Sequence, residues 1–540
     1  MNIMNRLETK FLTRPVLWSD TAILFYLAST KLLIHLLTST GYGYFGDEFY
    51  WLAMAKHLDF GYVDVPPLVA YLAAISRSIL GTSLFAIHLL PAIAGAVMVY
   101  FAGLTARELG GGRFAQWFSA LTVLTAPYIL YVCSVFTYDP FEQLATIIIF
   151  YLVIRIIINQ ETPTRTCARS WLLLGLAAGL GAMTKLIIIY TGGALVLSLL
   201  LTSRRKSFLT VWPWLAAVIA ALICTPYLVW QSVHSWPLVA YFHHYALDSI
   251  RPHQQPLQFF ISLFFFWLNP FFLPVWLSGL VYTLFHREGK KYRILGFTSL
   301  ILVVFYTGLI KLEAREMVSA CFPLLAAGAV WFEKMLTAAA AANRKGILWL
   351  KRVYIGVILV NAVLMAPMSL PLLPPPVLAQ YWSATPNFIK RGDYEPGILP
   401  QHHRFSVGWP EIVEQVSSVY HSLPEVDRKN CMIWAGFYWD AGAINLLGKQ
   451  YGLPEATSNC LSYQIWGEDQ FKSGKAPAVA IMVDDFTPFP AYSYFEEVNP
   501  AKSFNANKYS VYRGGCLSIY ICRKPKANFQ KIWKKQVYYY

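Results

Sequence analysis

Residues 46–67 read GDEFYWLAMAKHLDFGYVDVPP, and this stretch directly after the first long apolar run holds four acids, Asp47, Glu48, Asp59 and Asp64. Outward from it the chain is too apolar for one soluble fold. Of 540 residues, 56% are hydrophobic and 14% charged, with a mean hydropathy of +0.45, whereas soluble globular domains carry about 25% charged residues. The composition predicts a polytopic α-helical membrane protein. Lys and Arg together number 44 against 29 Asp and Glu. In a soluble protein that surplus would suggest a nucleic-acid partner; here the bases fall in short loops between apolar runs, as membrane orientation requires.

A span needs about 20 apolar residues. Candidates lie near 18–40, 84–106, 115–135, 140–158, 171–188, 189–203, 209–230, 257–285, 294–310, 316–336 and 353–373, which sets the expected number at about 11–13 helices. The N-terminus, MNIMNRLETKFLTRPVLWSD, shows no small-residue cleavage site, so the first span is expected to be retained. Basic residues at 6–14, 107–113, 155–169, 204–206, 287–293 and 344–352 all fall on one side, the cytoplasmic one by the positive-inside rule. With the N-terminus inside, the C-terminus is expected outside, in the periplasm or beyond, together with the loops that carry Asp47, Asp64, Asp139, His243, His244, Arg251, Lys311 and Arg315.

The predicted organisation is a transmembrane part over 1–373, with juxtamembrane helices within 41–83, followed by a soluble α/β domain over 374–540. From Glu48 to Asp59 the charged residues Glu48, Lys56 and Asp59 share one helical face opposite Leu52 and Leu58, so this piece is expected to lie along the interface with Asp47 at its start. Beyond Pro371, Pro374, Pro375 and Pro376, the runs CMIWAGF (431–437) and AVAIMVDDF (478–486) read as buried strands, and DAGAINLLGKQYGLP (440–454) as a helix stopped by Gly452 and Pro454. Cys431, Cys460, Cys516 and Cys522 leave room for a disulfide, and no cysteine pair has zinc-ligand spacing. No internal repeat, Walker motif or dinucleotide fingerprint is present, which argues against an ATP-driven pump.

Each polar motif has a structural reading beside a functional one. Asp47 and Glu48 suit a polar helix start, yet aromatic neighbours Tyr42, Tyr44, Phe45 and Tyr50 would desolvate a carboxylate there and raise its basicity. Asp139, after Tyr138 and before Pro140, reads equally as the N-cap of a span. Lys185, in GLAAGLGAMTKL, either snorkels to the headgroups or grips a lipid phosphate. The same holds for Lys311 and Arg315 in KLEARE, which Glu313 and Glu316 would neutralise. His243 and His244 with Asp248 read as an interfacial pair or, less simply, as ligands of a divalent ion.

In order and spacing, GDEFYWLAMAKHL, GYVDVPPLVAYL, YDPFEQ, GLAAGLGAMTKL, LNPFFLPV, KLEAREMVSACFP and GFYWDAGAINLLGKQYGLPEATSN…YQIWG resemble the GT-C class of integral-membrane glycosyltransferases, in the bacterial protein-mannosyltransferase-like superfamily that includes the lipid A aminoarabinose transferase. The resemblance covers nearly the whole length. It implies the GT-C fold and an inverting transfer of a sugar from a polyprenyl phosphate to a lipid, lipopolysaccharide or other envelope-glycan hydroxyl at the outer face of the cytoplasmic membrane. A polypeptide hydroxyl is the alternative acceptor, and transport of lipid-linked sugars the rival class. By this likeness Asp47 matches the essential first-loop acid, Asp139 a second external acid, and Lys185 a base near the donor phosphate; beside them the residues themselves offer Glu48 as a further catalytic candidate and Tyr138, Asp64, Arg251, Lys311 and Arg315 as candidates for binding the substrate. The chain departs from the pattern at Val65, where aminoarabinose transferases carry lysine, at Glu316, where relatives have tyrosine, and at Asn459–Ser462, where relatives often have Gly-His-Asn-Ser. These changes argue for a different donor or acceptor from the aminoarabinose enzyme's.

Overall fold

In the computed structural model, residues 19–159, 165–247, 255–309, 313–390, 393, 397–469, 476–484 and 489–535 are described. The helices used below are α1 (Asp20–Thr38), α2 (Gly46–Met54), α3 (Leu68–Leu80), α4 (Leu84–Glu108), α5 (Arg113–Thr125), α6 (Pro127–Val132), α7 (Asp139–Asn159), α8 (Arg165–Ala182), α9 (Ile188–Leu200), α10 (Trp212–Val233), α11 (Pro237–Leu247), α12 (Leu273–Phe285), α13 (Arg293–Val304), α14 (Val318–Ala341), α15 (Lys345–Ser369), α16 (Trp409–Ser422) and α17 (Tyr438–Leu447).

Six helical segments among the described residues are long and apolar enough to cross a membrane: α1, α4, α7, α10, Ala314–Ala341 and α15. They correspond to six of the expected spans. By this measure the count falls short of 11–13, because other apolar runs are broken. Ala126 is extended (φ −66°, ψ 121°) ahead of Pro127, so the run near 115–135 becomes α5 and α6; the proline ring disfavours helical backbone in the residue before it. The run 171–203 divides around Lys185 into α8 and α9. Pro256–Trp267 and Pro270–Phe285 meet at 110° across Leu268–Asn269, a seventh span if counted as one. Caps set clean ends elsewhere: Ser83 Oγ accepts from Ala86 N at 3.3 Å to open α4, and Gly110 (φ +87°) follows its close. Small residues let the helices approach: a Cβ at Gly279 of α12 would strike Leu324 O, and one at Gly328 of α14 would strike Val275 O.

At one end of the bundle sits a five-stranded sheet in the order β2-β1-β3-β5-β4, with β1 (Cys431–Ala435), β2 (Ala456–Thr457), β3 (Val479–Asp484), β4 (Phe495–Asn505) and β5 (Cys516–Pro525). β1 is parallel to β2 and β3, while β5 is antiparallel to β3 and β4. Alternation along the strands divides the core in two. Met432, Trp434 and Met482 pack with Tyr494, Phe529 and Trp533 on one face. Ile433, Ala435, Ile481, Val483 and Ile519 face the other way and join one continuous core with α16, α17 and α2. The expected strands and helix are present, the helix running over Tyr438–Leu447 and closing at Gly452 (φ +68°). None of the eight cysteines is joined to another, so the disulfide is not formed.

The juxtamembrane stretch corrects one expectation. α2 ends at Met54 and is buried on almost every side, with Glu48 at 0% exposure while Leu58 is 47% exposed. It is a core helix clamped beneath the sheet and not an interfacial one, because the buried charge of Glu48 finds partners inside the protein.

Candidate active site

The start of α2 is fixed by backbone bonds to a distant segment: Gly46 N donates to Phe405 O at 2.9 Å and Gly43 N to Ser406 O at 3.1 Å. Asp47 therefore stands in the first turn of a rigid helix, where the helix dipole favours a carboxylate. Tyr438, at the start of α17, donates its hydroxyl to Asp47 Oδ1 at 2.7 Å. Burial pushes the Asp47 carboxyl up to about 6; the Tyr438 bond and the Arg315 charge oppose this, and the charges of Asp139 and Glu48 reinforce it. Asp139 is thus near enough for Asp47 to feel its charge.

Asp139 opens α7, beside the link between α8 and α9 that carries Lys185. The lysine ammonium donates to Asp139 Oδ1 at 3.0 Å and to both oxygens of Glu316 at 2.8 and 2.9 Å. It also lies 4.6 Å from the centre of the Tyr138 ring, a cation–π contact. Burial works against its charge, and Asp139 and Glu316 more than offset this, so Lys185 is held protonated well above the ordinary lysine range. Arg315 pairs through Nε with Glu313 at 2.7 Å and lies 3.8 Å from Glu316. One turn into α7, Glu142 accepts from Thr146 Oγ1 at 2.8 Å and Gln143 Nε2 at 2.6 Å.

Asp64 belongs to the same neighbourhood. It accepts from the Tyr50 hydroxyl at 2.9 Å; that hydroxyl accepts from Ser462 N at 3.0 Å, and Ser462 Oγ accepts from Val63 N at 3.1 Å. Burial raises the Asp64 carboxyl to about 7, the Tyr50 bond opposing it. Just past the two prolines, Leu68 N donates to Met183 O at 3.1 Å, tying the Asp64 loop to the link that holds Lys185.

Glu48 is placed differently from its neighbour. Its carboxylate meets His88 Nε2 at 2.7 Å, Phe136 N at 2.7 Å and Phe45 N at 2.9 Å. His88 Nδ1 lies 2.8 Å from Ser39 O, so both ring nitrogens face oxygen atoms, Ser39 O on one side and the Glu48 carboxylate on the other. This bracket joins α2, α4 and the segment before α7 and so fixes the helix that carries Asp47.

Arg251, Lys311 and Asp248 lie outside the described residues. His243 is exposed and His244 half-buried on α11, and among the described residues no group of three or more His, Cys, Asp or Glu stands together as metal ligands would. The residues that sequence reasoning left out of the site are Tyr438, Glu142 and Glu316. Tyr438 and Glu142 lie within the motifs GFYWDAGAINLL and YDPFEQ, but nothing there marks them above their neighbours, and Glu316 reads as a departure from the pattern and a neutraliser of its basic neighbours.

Residues 64–230 match the family model of dolichyl-phosphate-mannose-protein mannosyltransferases. An undecaprenyl phosphate-alpha-4-amino-4-deoxy-L-arabinose arabinosyl transferase of Pseudomonas savastanoi pv. phaseolicola is 26% identical over 225 residues, 39% of this chain and 40% of that one. The lipid A galacturonosyltransferase RgtD of Rhizobium johnstonii is 25% identical over 217 residues, 40% of this chain and 44% of that one. Each alignment spans less than half of its relative. The crystal structure of ArnT from Cupriavidus metallidurans bound to undecaprenyl phosphate superposes over 92% of this chain and 97% of that one, with a TM-score of 0.57 and 15% identity. A bundle of apolar helices, broken where its acids and bases gather and capped at that end by a sheet that closes on α2, is the architecture of the GT-C membrane glycosyltransferases, and this multi-pass membrane protein has that fold.

Proposed function

We propose that this protein is an inverting glycosyltransferase that moves a sugar from a polyprenyl-phosphate donor to a hydroxyl of a lipid or lipopolysaccharide acceptor. The observation that carries the proposal is the Asp47–Tyr438 bond of 2.7 Å set within electrostatic reach of Asp139 and its partner Lys185. The similarity to enzymes named for undecaprenyl-phosphate aminoarabinose and for lipid A supports the donor and acceptor classes. The match to the protein-mannosyltransferase model supports a second reading, in which the acceptor is a polypeptide hydroxyl.

In this mechanism the acceptor oxygen attacks the anomeric carbon opposite the phosphate, the bond from that carbon to the phosphate oxygen breaks, and the phosphate leaves with the electron pair. Asp47 takes the hydroxyl proton, a contribution of about 10²–10⁴-fold. A carboxylate titrating near 6 is ionised at neutral pH yet basic enough to accept it. Lys185 and Arg315 counter the charge on the leaving phosphate, with Asp139 orienting Lys185 and Tyr138 supporting it from its ring face. Asp64 holds the loop between α2 and α3 against the sheet through Tyr50 and Ser462.

The same reading assigns residues 1–373 as the membrane-spanning catalytic part and 374–540 as an external domain, with the acid cluster on the outer face of the inner membrane and the basic loops inside. The test is transfer by purified protein inserted in liposomes, with an undecaprenyl-phosphate sugar as donor. Asp47→Asn is expected to lower kcat by at least about 10²-fold; near-normal transfer by that variant would end the assignment of the base.

A further inference from the structure

At the end of the bundle away from the sheet, a cavity of about 1120 Å³ opens between the first turns of α8, α10 and α13 and the turn after α9. It is not part of the site described above. α8 runs from this cavity to the link holding Lys185, and its 18 residues at about 1.5 Å each span about 27 Å, close to the thickness of a bilayer's hydrocarbon core.

Its lining is chemically one-sided. Arg204, Lys206, Lys290, Lys291 and Arg293 all border it, and no acid does among the described residues. A bias of basic residues toward one membrane face accounts for their presence in loops, but not for five of them converging from two separate loops around one hollow. Arg293 is fixed in place, its Nε donating to Leu284 O at 3.1 Å. The rim supplies the opposite character: Trp171, Trp212, Leu201, Ile294 and Phe297 line the same cavity, the tryptophans suiting the headgroup level of a membrane. From there an apolar surface continues outward along α8 and α10, where Leu172 and Leu215 are 39% and 37% exposed.

A cationic floor, an apolar rim and an apolar track leading away along the helices match a molecule with a phosphate at one end and a hydrocarbon tail at the other. We propose that this pocket is a binding site for the headgroup of a net-anionic, phosphate-bearing lipid, remote from the transfer site and separate from it. An ordinary anionic phospholipid and a polyprenyl phosphate share that chemistry, and the experiment distinguishes them.

Cys167 also borders the pocket and is free and half-buried, so its alkylation reports occupancy. The full-length protein in neutral detergent is treated with N-ethylmaleimide in the presence of phosphatidylglycerol, undecaprenyl phosphate or phosphatidylcholine, and modification of the Cys167 peptide is followed by mass spectrometry. Either net-anionic lipid is expected to slow alkylation in a salt-sensitive way, and zwitterionic phosphatidylcholine to leave it unchanged. Protection by phosphatidylglycerol identifies an ordinary phospholipid site; protection by undecaprenyl phosphate alone identifies a polyprenyl one; either supports the proposal. Lys206→Gln with Lys290→Gln and Lys291→Gln, all exposed side chains, is expected to need about a hundredfold more lipid, at about fivefold per basic residue. Ser203→Trp, which fills the cavity without altering charge, is expected to abolish protection and checks the triple variant independently. No protection by either anionic lipid, equal protection by phosphatidylcholine, or undiminished protection in both variants would overturn the proposal.

Discussion

Removing the Tyr438 hydroxyl tests the base assignment without touching the base. In Tyr438→Phe the ring is kept, so its packing at 4.9 Å from Tyr50 and 4.8 Å from Trp439 survives, and only the 2.7 Å bond to Asp47 Oδ1 is lost. That bond stabilises the ionised carboxylate and so lowers its pKa; without it, burial acts unopposed by its largest counterweight and the pKa rises from about 6. A hydrogen bond to a charged group contributes about 1.5–3 kcal/mol, and about 1.4 kcal/mol is one pKa unit, so the acid limb of kcat/KM moves up by about 1–2 pH units. At pH 7 the ionised fraction falls from about 0.9 to between about 0.5 and 0.1, while at pH 9 it is nearly restored. The assay is transfer from an undecaprenyl-phosphate sugar by protein in liposomes between pH 5 and 9. An active Tyr438→Phe enzyme whose acid limb stays where the wild type's lies, or an Asp47→Asn enzyme that retains the same limb, would refute the reasoning.

Glu316→Gln removes one negative charge from the carboxylates around Lys185, leaving its ammonium freer for a phosphate; the donor KM is expected to fall about tenfold, worth about 1.4 kcal/mol, and an unchanged KM in steady-state kinetics counts against Lys185 as the phosphate's partner. A Cβ at Gly442 would sit 2.5 Å from Phe49 Cβ, so Gly442→Val pushes α17 off α2 and is expected to cost about 1–3 kcal/mol, seen as a lower Tm in detergent together with lost transfer. Asp64→Asn bears on stability against pH. The folded carboxyl titrates near 7, above its unfolded value of about 3.9, so the native state binds the extra proton, stability falls as pH rises from about 4 to 7, and it levels off above. The amide removes that loss: the variant should match wild type near pH 4 and exceed it by up to about 4 kcal/mol at pH 8, and equal melting at pH 8 would show that Asp64 is not desolvated.

What the sequence made legible was what depends on near neighbours. The uninterrupted apolar runs 84–106 and 140–158 are helices in the structure, over Leu84–Glu108 and Asp139–Asn159, because length and hydropathy decide a span locally. Pro127 and Pro270 mark breaks that a hydropathy window averages away. Position and family likeness single out Asp47, Asp139 and Lys185; in the structure Lys185 pairs with Asp139, whose charge Asp47 feels, while the network with Glu316 is not legible, since the lysine and that carboxylate are 131 residues apart.

Glu48 shows where the limit lies. It is adjacent to Asp47 and of the same charge, and on a helix of 3.6 residues per turn the two point about 100° apart. One turns toward Tyr438, the other toward His88 and the Phe136 amide, and nothing within ten residues of either foretells which. The partner that distinguishes Asp47 is 391 residues away, on the sheet side of the fold, and the chain that steadies Asp64 ends on Ser462 there as well. Two of the site's carboxylates are therefore oriented by the sheet-bearing part of the chain, through Tyr438 and Ser462, hundreds of residues from the acids they steady. The sheet acts as a template pressed onto α2, and the Asp47 geometry exists only where α17 is seated against Phe49.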